Sequence, residues 1–402
     1  MGKEIFLSHG NEETIKPREQ REFESFLISK KWVAHTCPHC TNEYFAKERS
    51  STASCGSYNC AGYEFLNRPR KKGYIDPDEI GERLISDFGT QSYKKTEPIS
   101  VVNTIGNNLF TGAGGYFNNP VIFNEAPIQE TPIIISQPVI RLKGEELVGQ
   151  IDGLSTSFIN IATEQVNPTM AEHILNFDKW LQQLSSLGLF MGDFSLRIAT
   201  DKPKWAETVI LDAVTVKINY LGLEIGVANY FTNIPQRNRP ALTLSDMSFG
   251  LERIAWALNK FPSYYDILGP IDYSARGDHK LMDDYRTMTL MAAYGVLPLN
   301  KDRGSKFRML TKDSVKHSRI LHLDLVNYYH DWWSQFADLP LKKDDIADII
   351  EQEFNRNINV EIRRVIEATE NIPLNISPDE YSKRLLRTGK SIIGIKNLLK
   401  GE

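Results

Sequence analysis

Residues 245–258, SDMSFGLERIAWAL, place Leu251, Ile254, Ala255 and Leu258 three and four positions apart, the spacing of one apolar helix face. The pattern predicts a helix packed on a core and capped by Ser248 or Asp246. Arg253 then falls in or near the first turn. That is the positive end of the helix dipole, where a cation is mildly unfavourable unless an anion shares the space. The same period predicts helices over 18–29, 80–91, 170–187, 282–295, 306–330 and 344–370. Strand patterns lie between them. PIIISQPVIRL and STSFINIATEQV read as an antiparallel pair joined by KGEELVGQIDG. ETVILDAVTVKINYLGLEIGVANYF holds two or three further strands. NRPRKKGYIDPDE, at 67–79, is a polar linker punctuated by Pro and Gly.

Without regular βαβ alternation, a Rossmann domain is disfavoured. The order implies an α+β chain: a cysteine-bearing module over 1–70, a mixed domain with an antiparallel sheet over 71–268, and a helical domain over 269–402. There is no apolar run of about 18 residues, so no transmembrane helix is expected. The N-terminus lacks the apolar core of a signal peptide. A cytoplasmic location is the expectation. The net charge of −4 argues against a whole-surface nucleic-acid binder but leaves room for a local basic patch.

The four cysteines are confined to one stretch, CPHC and, fourteen residues later, CGSYNC. Cys37, Cys40, Cys55 and Cys60 form two knuckles, which suit a structural four-thiolate zinc site. His39 is a substitute ligand, and Gly56 suits the second tight turn. Two disulfides or free thiols are the alternative. A closed four-thiolate site has no open position for a substrate and is assigned no catalysis.

TGAGG (111–115) lacks the Gly-Lys-Ser/Thr ending of a P-loop and the full G-x-G-x-x-G spacing, and reads as a backbone turn near a ligand. Arg141 ends one β-rich run, Phe158 lies on the next, and Arg253 begins a later helix. Two arginines can clamp a polyphosphate and an aromatic ring can stack on a purine. Taken alone, the same residues also read as a surface ion pair and a core ring.

In order along the chain, CPHC…CGSYNC with YEFL, NNLFTGAGGYF, ISQPVIRL, STSFINI, SDMSFGLERIAWAL…YYDI and GVLPLNKDRGSKFRML resemble the catalytic half of archaeal alanyl-tRNA synthetases. These are class II aminoacyl-tRNA synthetases. The resemblance implies a class II synthetase-like antiparallel sheet flanked by helices, with an N-terminal zinc module and a helical tRNA-recognition region. It implies that Arg141 binds the α-phosphate of ATP, Phe158 stacks on adenine and Arg253 meets the γ-phosphate. Asp246 would hold the substrate ammonium group, with Trp205, Glu224 and Val227 around the amino acid. Asn300, Arg303 and Arg308 would face tRNA. Arg286, Lys301, Lys306, Lys312, Lys316 and Arg319 extend a basic stripe, whose alternative is a solvated helical face.

The chain departs from the family pattern at Gly153-Leu154, where an Arg-His pair is usual, at Ile159, where a glutamate is usual, and at Val227, an Asn or Thr position. The family's asparagine-partnering aspartate is not apparent around ENIPLNISPDEY. The chain ends at residue 402, so a truncated paralogue without the editing and C-terminal domains is expected. The expectation is an ATP- and Mg²⁺-dependent ligase that activates alanine or a similar small amino acid. It would transfer the aminoacyl group to tRNA, a small molecule or a carrier protein, with no membrane partner. A catalytically degenerate ligand- or RNA-binding regulator is the alternative, motivated by the lost Arg-His pair.

Overall fold

The computed structural model describes residues 16–50, 52–70, 73–102, 108–206, 209–237 and 240–369. Helix α1 (Arg18–Ser29) leads into the hairpin β1 (Trp32–Thr36) and β2 (Glu43–Lys47), then the single turn α2 (Tyr58–Ala61). Helix α3 (Pro77–Gly89) starts where the Asp76 side chain accepts from the Asp78 amide and Pro77 takes the first helical position. The elements β3 (Lys94–Thr96), α4 (Asn119–Ile122), β4 (Ile133–Ile140) and β5 (Ser157–Val166) follow. Helix α5 (Met170–Leu187) opens with a reciprocal Thr169–Glu172 capping box and closes at left-handed Gly188, φ 116°.

Six strands come next: β6 (Phe194–Asp201), the small pair β7 (Lys204–Ala206) and β8 (Val209–Ile210), β9 (Asp212–Tyr220), β10 (Leu223–Ile234) and β11 (Leu242–Gly250). Helix α6 (Leu251–Asn259) grows straight from the end of β11. The remaining helices are α7 (Tyr265–Leu268), α8 (Ile271–Ala275), α9 (His279–Ala293), α10 (Asp302–His317), α11 (Leu323–Ser334) and α12 (Lys343–Thr369).

Among the described residues, nine strands make one sheet in the order β1-β2-β6-β9-β10-β11-β5-β4-β3. Neighbours are antiparallel except β3 with β4. The protein is therefore α+β, and β4 and β5 pair antiparallel as their patterns predict. The cysteine-bearing hairpin continues the sheet, because β2 pairs with β6.

Alternation sorts the central strands onto two faces. Ile159 and Ile161 of β5 and Met247 and Phe249 of β11 are fully buried on the face covered by helices, where Trp180 of α5 stacks on Phe249 with ring centroids 4.1 Å apart. Phe158, Asn160, Ala162 and Glu164, with Asp246 and Ser248, alternate with them and take the opposite face. Helix α9 is buried from Leu281 to Ala293, as a helix surrounded by protein must be. Asp283 on α9 accepts from the Thr156 amide (2.8 Å) and hydroxyl (2.6 Å), tying that helix to the start of β5.

Three expectations change. Helix α6 begins at Leu251 with Gly250 before it and no side-chain cap. Asp246 and Ser248 lie on β11 instead, because the strand runs directly into the helix. The predicted helix over 306–330 is two helices, α10 and α11, separated around Ser318–His322. Arg286 does not belong to a basic stripe: it is 0% exposed. ENIPLNISPDEY lies outside the described residues. No described helix is long and apolar enough to cross a membrane.

Candidate active site

A cleft opens on the polar face of the sheet, and Arg141, Phe158, Glu224, Val227 and Arg253 all line it. β4 and β5 deliver the first two, since Ile140 pairs with Ser157 and Val139 with Phe158. The Arg141 guanidinium lies 5.2 Å from the Phe158 ring centroid, and its Nε donates to the Gly112 carbonyl. Arg253, in the first turn of α6, donates from Nε to the Gly153 carbonyl (3.0 Å) and from Nη1 to the Glu224 carbonyl (2.8 Å). Neither Nη of Arg141 nor Nη2 of Arg253 has a hydrogen bond among the described residues. Both forks are thus braced at one edge, with donors left for an anion. Glu224 turns its carboxylate to Lys217, 3.3 Å away at the rim.

Asp246 and Trp205 adjoin the cleft without lining it. Ser248, a lining residue, donates to Asp246 Oδ1 (2.5 Å), and Asn229 donates to Oδ2 (3.3 Å). Trp205 donates from its indole to Asn119 (2.8 Å). Between the two sits Gly115, where a Cβ would lie 3.0 Å from the Trp205 ring and 3.4 Å from Asp246 Oδ2. That close approach explains a glycine in TGAGG. The segment is a backbone turn with a short 3₁₀ helix, Gly114–Asn118.

Glu164, on β5 directly opposite Asp246, did not stand out in the sequence. It is 1% exposed. Its Oε2 accepts from Asn118 (3.3 Å), and its Oε1 has no hydrogen-bond partner among the described residues. Burial, and then the neighbouring Asp246 charge, push the Glu164 carboxyl well above the usual range, which favours its protonated form. The only advance signal was that Glu164 is the one charged residue in the strand Ser157–Val166.

Gly153 has φ +82°, and a Cβ there would lie 3.1 Å from the Tyr63 hydroxyl and 3.4 Å from Trp256. The space is taken by Tyr63, which also donates to the Asp152 carbonyl. A side chain at 153 would need Tyr63 and Trp256 to give way, on a backbone conformation that favours glycine.

The residues expected to face tRNA are not on this cleft. Arg308 bonds Asn300 and lies 3.5 Å from Glu353. Arg303 reaches back to the Leu109 carbonyl, beside the TGAGG turn.

The four cysteines place one sulfur each within 4.8 Å of the others, and Cys40 and Cys55 are 3.7 Å apart. A tetrahedron with Zn–S bonds of about 2.3 Å has S–S edges of about 3.8 Å. N–H groups of Asn42 and Cys55 point at Cys40 and Cys37 sulfurs (3.2 and 3.5 Å), as thiolates require. The donor set therefore fits a zinc ion.

No protein-family model matches the chain. It is 27% identical to the alanine–tRNA ligase of Pyrobaculum arsenaticum over 260 residues, covering 61% of this chain and 28% of that protein. It is 24% identical to the Methanococcoides burtonii enzyme over 258 residues, again 61% and 28%. Against the Saccharolobus islandicus enzyme it is 20% identical over 420 aligned positions, covering 85% and 46%. The chain thus spans less than half the length of these curated relatives. A pyrrolysyl-tRNA synthetase structure from Desulfitobacterium hafniense overlaps with 48% of the chain and 73% of its own at a TM-score of 0.35 and 11% identity, too slight a likeness to bear on the site. By sequence, the chain is related to the archaeal alanine–tRNA ligases.

Proposed function

We propose that this protein condenses an amino acid with ATP to give an aminoacyl-adenylate and pyrophosphate, then passes the aminoacyl group to an acceptor. The carrying observation is the convergence of Arg141, Phe158 and Arg253, from three separated segments, on one cleft. In this reading Phe158 stacks on adenine, Arg141 holds the α-phosphate and Arg253 the γ-phosphate. The substrate carboxylate attacks the α-phosphorus, the bond to the β-phosphate oxygen breaks, and pyrophosphate leaves. Charge grows on phosphate oxygens, so prepositioned arginines stabilise the transition state with no protein nucleophile. The backbone carbonyls at Gly112, Gly153 and Glu224 are what preposition them. Mg²⁺ would neutralise phosphate charge when bound with ATP.

Asp246 receives the substrate ammonium, and Trp205 with Gly115 leaves room for a small side chain. The zinc module has a structural role at the sheet edge. Domain limits of 1–70, 71–268 and 269–402 and a cytoplasmic location accompany this reading. The acceptor is tRNA if Asn300, Arg303 and Arg308 face it; otherwise it is a small molecule or carrier protein.

Amino-acid-dependent ATP–pyrophosphate exchange across an amino-acid panel tests the proposal. Exchange with one small amino acid is expected. No exchange with any amino acid would overturn it in favour of a binding protein built on the same fold. Exchange without charging of any tRNA would assign a non-tRNA acceptor.

A further inference from the structure

The end of β11 leaves a backbone problem beside the cleft. The last β11–β5 pair is Gly250 with Asn160, because the chain turns into α6 at Leu251. β5 continues back through Ile159 to Phe158 with no strand on that side among the described residues. A buried amide left there without an acceptor is costly. Glu252, in the first turn of α6, closes the gap: both of its carboxylate oxygens accept from the Ile159 amide, at 3.0 and 3.1 Å.

Glu252 is fully buried, and so is its partner Arg286 from α9. Arg286 bonds Glu252 and donates to the Leu268 carbonyl (3.2 Å). Its guanidinium lies 3.7 Å from the centroid of a Trp332 ring and 4.6 Å from that of Trp333. Trp333 in turn donates to the Arg286 carbonyl (3.0 Å). Burying such a pair is expensive, and apolar residues of the same volume often serve stability equally well. Its retention calls for a reason other than stability, and the Ile159 amide supplies one. That N–H shares a rigid peptide plane with the Phe158 carbonyl, so fixing it fixes the backbone that aims the Phe158 ring.

We infer that Glu252 and Arg286 are positioning residues for the nucleotide: α9 and α11 hold the carboxylate, and the carboxylate holds the Phe158–Ile159 peptide against which adenine stacks. This role rests on the ATP reading of the cleft, but its local part is independent of it. Two double variants separate positioning from packing. Glu252→Leu with Arg286→Met removes both charges and the acceptor. Glu252→Gln with Arg286→Gln removes both charges and keeps an acceptor for the amide.

Hydrogen exchange at the Ile159 amide and the KM for ATP in pyrophosphate exchange are measured in each, with melting temperature as the folding control. For the apolar pair we expect Ile159 exchange and ATP KM each to rise about tenfold, with kcat less affected. The glutamine pair should restore both to within about threefold of the starting protein. Equal effects in the two doubles, or unchanged Ile159 protection in a folded apolar pair, would overturn the inference. If the apolar pair does not fold, the glutamine pair decides alone: a folded protein with Ile159 deprotected as strongly as an unstructured amide would overturn it. Absence of pyrophosphate exchange in the unaltered protein would count against the ATP reading, whereas the amide measurement would still report on the clamp.

Discussion

The arginine end of the cleft and the acid end that adjoins it solve opposite electrostatic problems with different materials. At the arginine end, Arg141 and Arg253 are steadied by backbone carbonyls, while the side chain of Phe158 is only partly buried. At the acid end, Glu164 and Asp246 are 1% and 4% exposed and are held by side chains, Asn118, Asn229 and Ser248. Carbonyls cannot titrate, so the arginine end keeps its geometry at any pH at which the protein folds. Two carboxyls facing each other across β5 and β11 cannot both ionise without strong repulsion. Burial and the Asp246 charge raise the pKa of Glu164. The arginine end therefore suits a large, variable anion, and the acid end a single small cation.

The largest effect should come from removing a fork at the arginine end. Arg253→Ala is expected to lower pyrophosphate exchange by about 10²–10³-fold with an unchanged circular-dichroism spectrum. Retained exchange would break the assignment. Gly115→Ala tests the other end, because its Cβ would press on Trp205 and Asp246. It should raise the amino-acid KM about tenfold while leaving the ATP KM within about twofold; equal changes in both would erase the division between the ends.

Glu164→Gln sharpens the electrostatic half of the comparison. Glu164 has a raised pKa in the fold, so it stays protonated where the unfolded chain has lost that proton. Its contribution to stability is complete below the unfolded value of about 4.5 and declines as pH rises towards the folded value, by up to about 1.4 kcal/mol per pH unit. The substitution should remove that slope from the dependence of melting temperature on pH, and an unaltered profile would show that Glu164 carries no proton. The smallest effect belongs to the rim. Lys217 and Glu224 are 46% and 40% exposed, so Lys217→Ala should change unfolding free energy by no more than about 0.5 kcal/mol in denaturant titration. A larger loss would mean that the rim pair braces Arg253 through Glu224.

Much of this site was legible before any coordinates, but unevenly. The helix at 170–187 and the β4–β5 pair are written in local periodicity, and the structure reproduces them closely. The assembly of Arg141, Phe158 and Arg253 was anticipated through motif resemblance rather than periodicity. The proposed cap at Asp246 or Ser248 failed because Gly226, Val227 and Ala228 of β10 draw 247–249 into a strand. Long-range pairing overrode a local preference. Arg286 looked like one more cation in a basic helical region. Only the packing of α9 against α6 and α11 shows that its partner is Glu252, 34 positions away.

The sequence by itself determined the grouping of four cysteines, the helices with a clear apolar face and the strands with strict alternation, because these depend on spacing within one segment. Tertiary structure alone decided which carboxyl has its pKa raised, what crowds Gly153 and how Ile159 finds an acceptor. Each of those depends on what burial brings beside a residue: Asp246 beside Glu164, Tyr63 beside Gly153 and Glu252 beside Ile159. Desolvation and close packing act between segments distant in sequence, and no local pattern records them.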